Sequence, residues 1–76
     1  MALTKLAEKP WTYTLYQRGA DYILSVVCGG VAMYELNIPV GADLARRGLA
    51  DAQVLEQLAA KIAADPHTYA PDSVAL

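Results

Sequence analysis

Residues 22–38 read YILSVVCGGVAMYELNI, and this stretch decides the fold. Apolar, aromatic and β-branched residues dominate on both sides of Gly29 and Gly30, as in two strands that flank a tight turn. Two-residue hairpin turns of the primed types need positive φ angles, which glycine adopts without strain. The stretch therefore predicts an antiparallel hairpin with strands at 22–28 and 31–38.

The predicted Gly-Gly turn sets the register of this hairpin by counting outward from it. On one face Val26 is opposite Met33 and Leu24 is opposite Glu35. The remaining predicted pairs are Cys28 with Val31, Val27 with Ala32, Ser25 with Tyr34, Ile23 with Leu36, and Tyr22 with Asn37. This register surrounds Glu35 with apolar side chains, which makes it the acidic residue of greatest chemical interest.

A further strand precedes the hairpin, because apolar residues alternate there with polar ones. The alternating apolar residues are Trp11, Tyr13 and Leu15. The strand ends at a turn that contains Gly19. A loop with an even number of residues would place the alternating set on the face of Leu24 and Val26. A three-residue loop with a bulge would place it on the opposite face, and the sequence leaves both alternatives open.

The periodicity becomes helical after the last predicted strand. A short helix is expected with Asp43 in its first turn and Gly48 as the C′ residue of a Schellman ending. A longer amphipathic helix follows over residues 51–64. Asp51 is its expected N-cap, and Pro66 prevents its continuation.

Together these elements predict an α+β fold. It is a three-stranded antiparallel β-meander followed by a short helix and a longer amphipathic helix packed on one face. A chain of 76 residues has room for one domain, and its 55% apolar residues can supply a core. We expect this domain at residues 11–69, between a flexible N-terminal arm, 1–10, and a flexible C-terminal tail, 70–76.

Composition argues against several functional classes. The single cysteine cannot form an intrachain disulfide, and Cys28 and His67 alone do not make a zinc site, so no metal or other cofactor is expected. A net charge of −2 argues against nucleic-acid binding. The uncharged stretch 22–34 is too short to span a membrane, and the N-terminus lacks the apolar segment of a signal peptide. These features predict a soluble cytoplasmic protein.

The predicted sheet carries large apolar residues on both faces, although two helices can cover only one. The second face is therefore a candidate interface, formed by Tyr16, Ile23, Val27, Tyr34, Leu36 and Ile38. A second copy of the chain, a different protein, or the N-terminal arm folded back could cover it. The first hypothesis is a non-catalytic interaction module that forms a homodimer through this face or an edge strand.

Two other hypotheses are weaker. The layout is seen in many small bacterial proteins of unknown role, some of which are inhibitors or immunity proteins. The second hypothesis is therefore an inhibitor or immunity-type protein that binds one larger protein partner. The third hypothesis is an enzyme that uses Glu35 or Cys28. Nothing in the spacing brings His67 to Cys28, and no second acid accompanies Glu35, so we expect no catalytic activity.

Overall fold

The computed structural model of the protein describes residues 3–29 and 33–76. Within them, one antiparallel sheet of four strands, arranged in chain order, is followed by three α-helices and a 3-10 turn. The elements are β1 (Leu3–Lys9), β2 (Tyr13–Arg18), β3 (Asp21–Cys28), β4 (Tyr34–Val40), α1 (Ala42–Ala50), α2 (Ala52–Ala64), α3 (Pro66–Tyr69) and the 3-10 turn (Ala70–Asp72). No helix in this described part of the chain is long and apolar enough to cross a membrane.

The prediction of three strands is wrong, because part of the expected N-terminal arm forms β1 at the edge of the sheet. β1 pairs with β2 along its whole length, but the register shifts between Lys5 and Ala7. Such a shift marks a β-bulge, which inserts an extra residue into one strand. Because the bulge breaks the alternation of apolar and polar residues, this segment has no period-two signal in the sequence.

The hairpin of β2 and β3 confirms the even-loop alternative. Arg18 pairs with Asp21, so the loop contains two residues, and the first of them, Gly19, has a φ of 64°. Tyr13 and Leu15 consequently point into the core, as that alternative requires. The loop between β2 and β3 is therefore shorter than the three-residue alternative.

The predicted register of β3 and β4 is wrong by three residues. Leu24 pairs with Ile38 and Val26 with Leu36, whereas the Gly-Gly turn placed Glu35 opposite Leu24. An odd shift turns every side chain of β4 to the other face. The observed register buries Leu36 and Ile38, each only 7% exposed, against the helices.

The connection between these strands explains the shift. Cys28 pairs with Tyr34, so the connecting segment is longer than the predicted two-residue turn. It begins at Gly29, which has a φ of 88°. The predicted turn residue Gly30 and the predicted partners Val31 and Ala32 lie outside the described residues.

The helices pack on one side of the sheet, which we call the helix face, and the opposite side is the open face. The core between the helices and the helix face contains Tyr13, Leu15, Leu24, Val26, Cys28, Leu36, Ile38, Ala45, Leu55, Ala59 and Ile62. α2 contributes the last three of these from one stripe of its surface. The amphipathic pattern predicted for this helix is therefore confirmed.

The helix ends are partly as predicted. The Asp51 carboxylate caps α2 by accepting a hydrogen bond from the Gln53 amide at 3.0 Å, and α2 ends before Pro66. Gly48 is not a C′ residue, because α1 continues past it to Ala50. It lies instead at a close contact with Leu55 of α2, where a Cβ atom would be 2.4 Å from the Leu55 Cδ2 atom.

Candidate binding cleft

The six residues expected to form an interface do not share one face. Leu36 and Ile38 belong to the core on the helix face, so their assignment to a common outer face is wrong. Ile23 does lie on the open face, but it is only 1% exposed. The remaining members of the set are half-buried or exposed: Tyr16, Val27 and Tyr34.

The C-terminal tail occupies the outer edge of β4 at Asn37. The Asn37 amide donates to the Ser73 hydroxyl at 3.0 Å, and the Asn37 carbonyl accepts from the Val74 amide at 2.8 Å. The Asn37 side chain also donates to the Val74 carbonyl at 3.0 Å. The tail therefore satisfies backbone groups of an edge strand that the sequence left open for pairing with another chain.

The same tail continues onto the open face. The Arg18 guanidinium donates a hydrogen bond to the Ala75 carbonyl at 3.0 Å. Val74 lines a shallow depression together with Ile23 and Pro39. The chain thus covers Ile23 with its own C-terminus, whereas the sequence suggested the N-terminal arm or a neighbour for that role.

An uncovered apolar surface remains at the other end of the open face. Three large exposed residues line one cleft there: Trp11 is 82% exposed, Met33 55% and Tyr34 45%. Tyr34 pairs with the core residue Cys28, so its side chain starts from the helix face at the end of β4. We call these three residues the aromatic rim. The cleft has a volume of about 260 Å³, and Val27 and Glu35 also line it.

The backbone at Trp11 is strained. Trp11 has a φ of 63°, the one positive φ of a residue other than glycine in the described part of the chain. A left-handed conformation costs a residue with a Cβ about 1–3 kcal/mol, whereas glycine or asparagine adopts it readily. The turn between β1 and β2 therefore holds a large aromatic side chain out in solvent at a position where a smaller residue would fit better. Such strain is typical of functional positions.

A buried hydroxyl supports the polar wall of the cleft. Ser25 is 4% exposed, and its Oγ lies 3.1 Å from a carboxylate oxygen of Glu35 and 2.9 Å from the side-chain oxygen of Asn37. A hydroxyl has one proton, so it donates to only one of these oxygens at a time. The register correction moves Glu35 from a position opposite Leu24 to one opposite Val27, which brings it to the cleft.

The charges of the cleft differ in how they are paired. The Lys5 ammonium lies 3.2 Å from the carboxylate of Glu8. Lys9 forms an ion pair with Glu56 of α2, and the hydrogen bond and charge of Glu56 raise the pKa of Lys9 above its usual range. Within residues 3–29 and 33–76, no cationic side chain is at salt-bridge distance from Glu35.

The other residues considered for chemistry lie apart from the cleft. The Cys28 thiol is in the core, 3.6 Å from the Val26 carbonyl, and burial raises its pKa. His67 is exposed on the short helix α3. Among the described residues no three His, Cys, Asp or Glu side chains are grouped so as to hold a metal ion. The arrangement at the cleft is suited to binding through apolar contact and charge.

The even-loop alternative from the sequence placed Glu35 on one face with Trp11 and Met33, but it placed Tyr34 on the other face. The cleft brings all four residues together. The grouping depends on the register of β4 and on the turn at Trp11, and neither leaves a pattern that counting can recover. One signal was available: Trp11 follows Pro10 and precedes a strand, a place where turns are common. Comparisons with protein-family models, with curated proteins and with solved structures find no match to this chain.

Proposed function

We propose that this chain is a non-catalytic protein-interaction module and that the aromatic rim is its contact surface. One observation carries the proposal: three large residues, Trp11, Met33 and Tyr34, are exposed around a single cleft. Exposed apolar groups that cluster in this way are typical of binding surfaces. Tryptophan and tyrosine also contribute most to the binding energy of interfaces.

Several features favour a different protein, in the manner of an inhibitor, over a second copy of the chain. The tail occupies the edge of β4 at Asn37, and Leu36 and Ile38 are in the core. The other edge, β1, carries Lys5, Lys9 and a bulge, which oppose pairing between edge strands. A homodimer, the first hypothesis from the sequence, would now have to form through the aromatic rim.

A binding role also agrees with the surroundings of the reactive groups. A nucleophilic cysteine needs a lowered pKa and access to substrate, whereas burial raises the pKa of the Cys28 thiol. Glu35 lines the cleft beside the Ser25 hydroxyl, without a second acid among the described lining residues except the ion-paired Glu8. A cytoplasmic location belongs to the same proposal and rests on the single unpaired thiol.

Site-specific photocrosslinking tests the proposed surface. A photoreactive phenylalanine derivative is placed at Trp11 in the full chain, and a matched variant carries it at Leu49, which is 47% exposed in α1 and outside the cleft. We expect position 11 to give one defined protein adduct in cells that express the chain at native level. Position 49 should not give this adduct. Adducts of equal yield at both positions, or none at position 11, would contradict the proposal.

Fluorescence distinguishes the homodimer, because Trp11 is the single tryptophan of the chain. Association through the aromatic rim would bury this side chain and shift its emission to shorter wavelength as protein concentration rises. We expect no shift between about 1 and 500 μM if the partner is another protein, a range that covers the affinities of ordinary homodimers. A shift accompanied by a doubling of the mass in light scattering would instead assign the rim to a homodimer.

A further inference from the structure

From the residues that line the cleft, we infer that it recognises a cationic side chain, lysine or arginine, on the surface of the partner. The inference rests on the proposed function and names the chemistry of its contact. Trp11, whose side chain is 82% exposed, and Glu35, which lies on the open face opposite Val27, line the same cleft. Aromatic faces and carboxylates both attract cations, and together they form the usual binding site for an ammonium or guanidinium group.

Glu35 is the charged residue of the cleft that can attract a cation, because the other charged residues there already form ion pairs. The cleft is also lined by Glu8 and Lys9, but each is in an ion pair, with Lys5 and Glu56 respectively. Among the described lining residues, the carboxylate of Glu35 is thereby left for a ligand. The Ser25 hydroxyl lies within hydrogen-bond distance of this carboxylate, at 3.1 Å.

The Ser25 hydroxyl can donate its one proton to Glu35 or to Asn37, but not to both at once. This hydroxyl is nearly inaccessible and lies between Glu35 and Asn37, at 3.1 and 2.9 Å. When the proton points to Asn37, both oxygens of Glu35 can accept hydrogen bonds from a ligand. Asn37 is itself held by its bond to the Val74 carbonyl, which turns its side-chain oxygen to Ser25, so the direction of the Ser25 proton is linked to the tail.

Charge and size argue against the other classes of ligand. The lining residues Glu8, Lys9 and Glu35 sum to −1, which disfavours anions such as phosphate. A purely apolar side chain would desolvate Glu35 without giving it a partner, and that is costly. The volume of about 260 Å³ is below the range of most small-molecule pockets and suits one long side chain.

A titration with short peptides tests the inference directly. The probes are acetyl-Gly-Lys-Gly-amide and acetyl-Gly-Arg-Gly-amide, and the matched neutral peptides carry norleucine or citrulline at the central position. Binding is followed by the fluorescence of Trp11 and by amide chemical shifts of the full chain. We expect the cationic peptides to bind with millimolar affinity, to perturb Trp11 and Glu35, and to lose affinity at high salt. Equal responses to cationic and neutral peptides would overturn the inference.

Glu35→Gln removes the charge and keeps the shape of the side chain. We expect it to weaken binding of the cationic peptides about threefold to fivefold, as is usual for a solvent-accessible ion pair. Asp43→Asn is the control, since it removes an equal charge from the exposed start of α1. Amide spectra of both variants show whether the fold is retained. An equal loss in the two variants would mean that only net charge matters, and would also overturn the inference.

The two proposals fail separately. If position 11 crosslinks to a partner but the cleft does not prefer cationic peptides, the interaction stands and the recognition of a cation is wrong. If the cleft prefers cationic peptides through Glu35 but position 11 gives no adduct, recognition of the cation stands and the proposed surface role is wrong.

Discussion

The Cys28 thiol lies in the core, where the neighbouring side chains exclude water. Burial disfavours the thiolate and raises the pKa of Cys28 above its ordinary value, while a backbone hydrogen bond from Leu36 opposes this less strongly. The folded protein therefore keeps a proton that the unfolded chain releases at a pH of about 8.5. This proton makes the stability of the fold dependent on pH on the alkaline side.

We expect the free energy of unfolding to fall as the pH rises from 7.5 to 9.5. The folded state binds more protons than the unfolded state above the thiol pKa of the unfolded chain, so the slope is negative and at most about 1.4 kcal/mol per pH unit. Urea denaturation in the presence of a reductant measures it. Cys28→Ala is less stable at every pH because it leaves a small cavity, but its decline over this range should be shallower. Equal declines would show that Cys28 does not cause the effect.

Among the helices and strands, features set by neighbouring residues could be predicted from the sequence, whereas features set by contacts between distant residues could not. Asp51 and Pro66 bound α2 through interactions within a few residues, so the sequence predicts this helix correctly. The register of β4 depends on how Leu36 and Ile38 meet helices that come later in the chain. The pair Gly29-Gly30 indicates a tight turn but carries no information about this distant contact. Because the register was predicted wrongly, Glu35 was placed opposite Leu24 instead of Val27.

The packing of α1 on α2 rests on Gly48, and Gly48→Ala is expected to lower the free energy of unfolding by about 1–2 kcal/mol. Alanine favours a helix by about 1 kcal/mol over glycine. The added Cβ, however, would lie 2.4 and 2.5 Å from the Cδ2 and Cγ atoms of Leu55, which is 1% exposed and has little room to move. Overpacking of this kind costs about 1–3 kcal/mol or more, and it outweighs the propensity.

Gly41→Ala is the matched control for this prediction. No atom lies within 4 Å of a Cβ at Gly41, and its φ of −69° is accessible to alanine. We expect its urea midpoint to stay within the range of ordinary surface substitutions, about 0.5 kcal/mol from the parent. A Gly48→Ala protein as stable as this control would show that the two helices can separate at no cost.

At the scale of the whole molecule, the C-terminal tail joins the edge of the sheet, the open face and the cleft. It is bonded to Asn37 at the edge and to Arg18 across the face, and Val74 lies beside Ile23. The sequence suggests a mobile tail because residues 70–76 contain Pro71 and small residues. The apolar surplus that the sequence assigns to an external partner is, around Ile23, covered within the chain.

Deletion of residues 73–76 tests this role. Exposing Ile23 to water costs about 1.5–3 kcal/mol, and each lost hydrogen bond costs about 1 kcal/mol. The deletion also removes the entropy cost of ordering these residues, about 1–2 kcal/mol for each. We expect a net loss of about 1–2 kcal/mol in urea denaturation. The uncovered β4 edge and open face should also make the truncated chain self-associate, which raises the mass found by light scattering.

Leu76→Ala is the control for the truncation, because Leu76 is 48% exposed while its loss leaves the hydrogen bonds of Ser73, Val74 and Ala75 intact. Its stability and mass should match those of the parent chain. The truncated chain should also bind cationic peptides more weakly, since Asn37 loses the carbonyl that fixes it beside Ser25. If truncation changes neither stability nor mass, the sheet does not need its own C-terminus as a cover, and the open face around Ile23 becomes a candidate surface for a partner again.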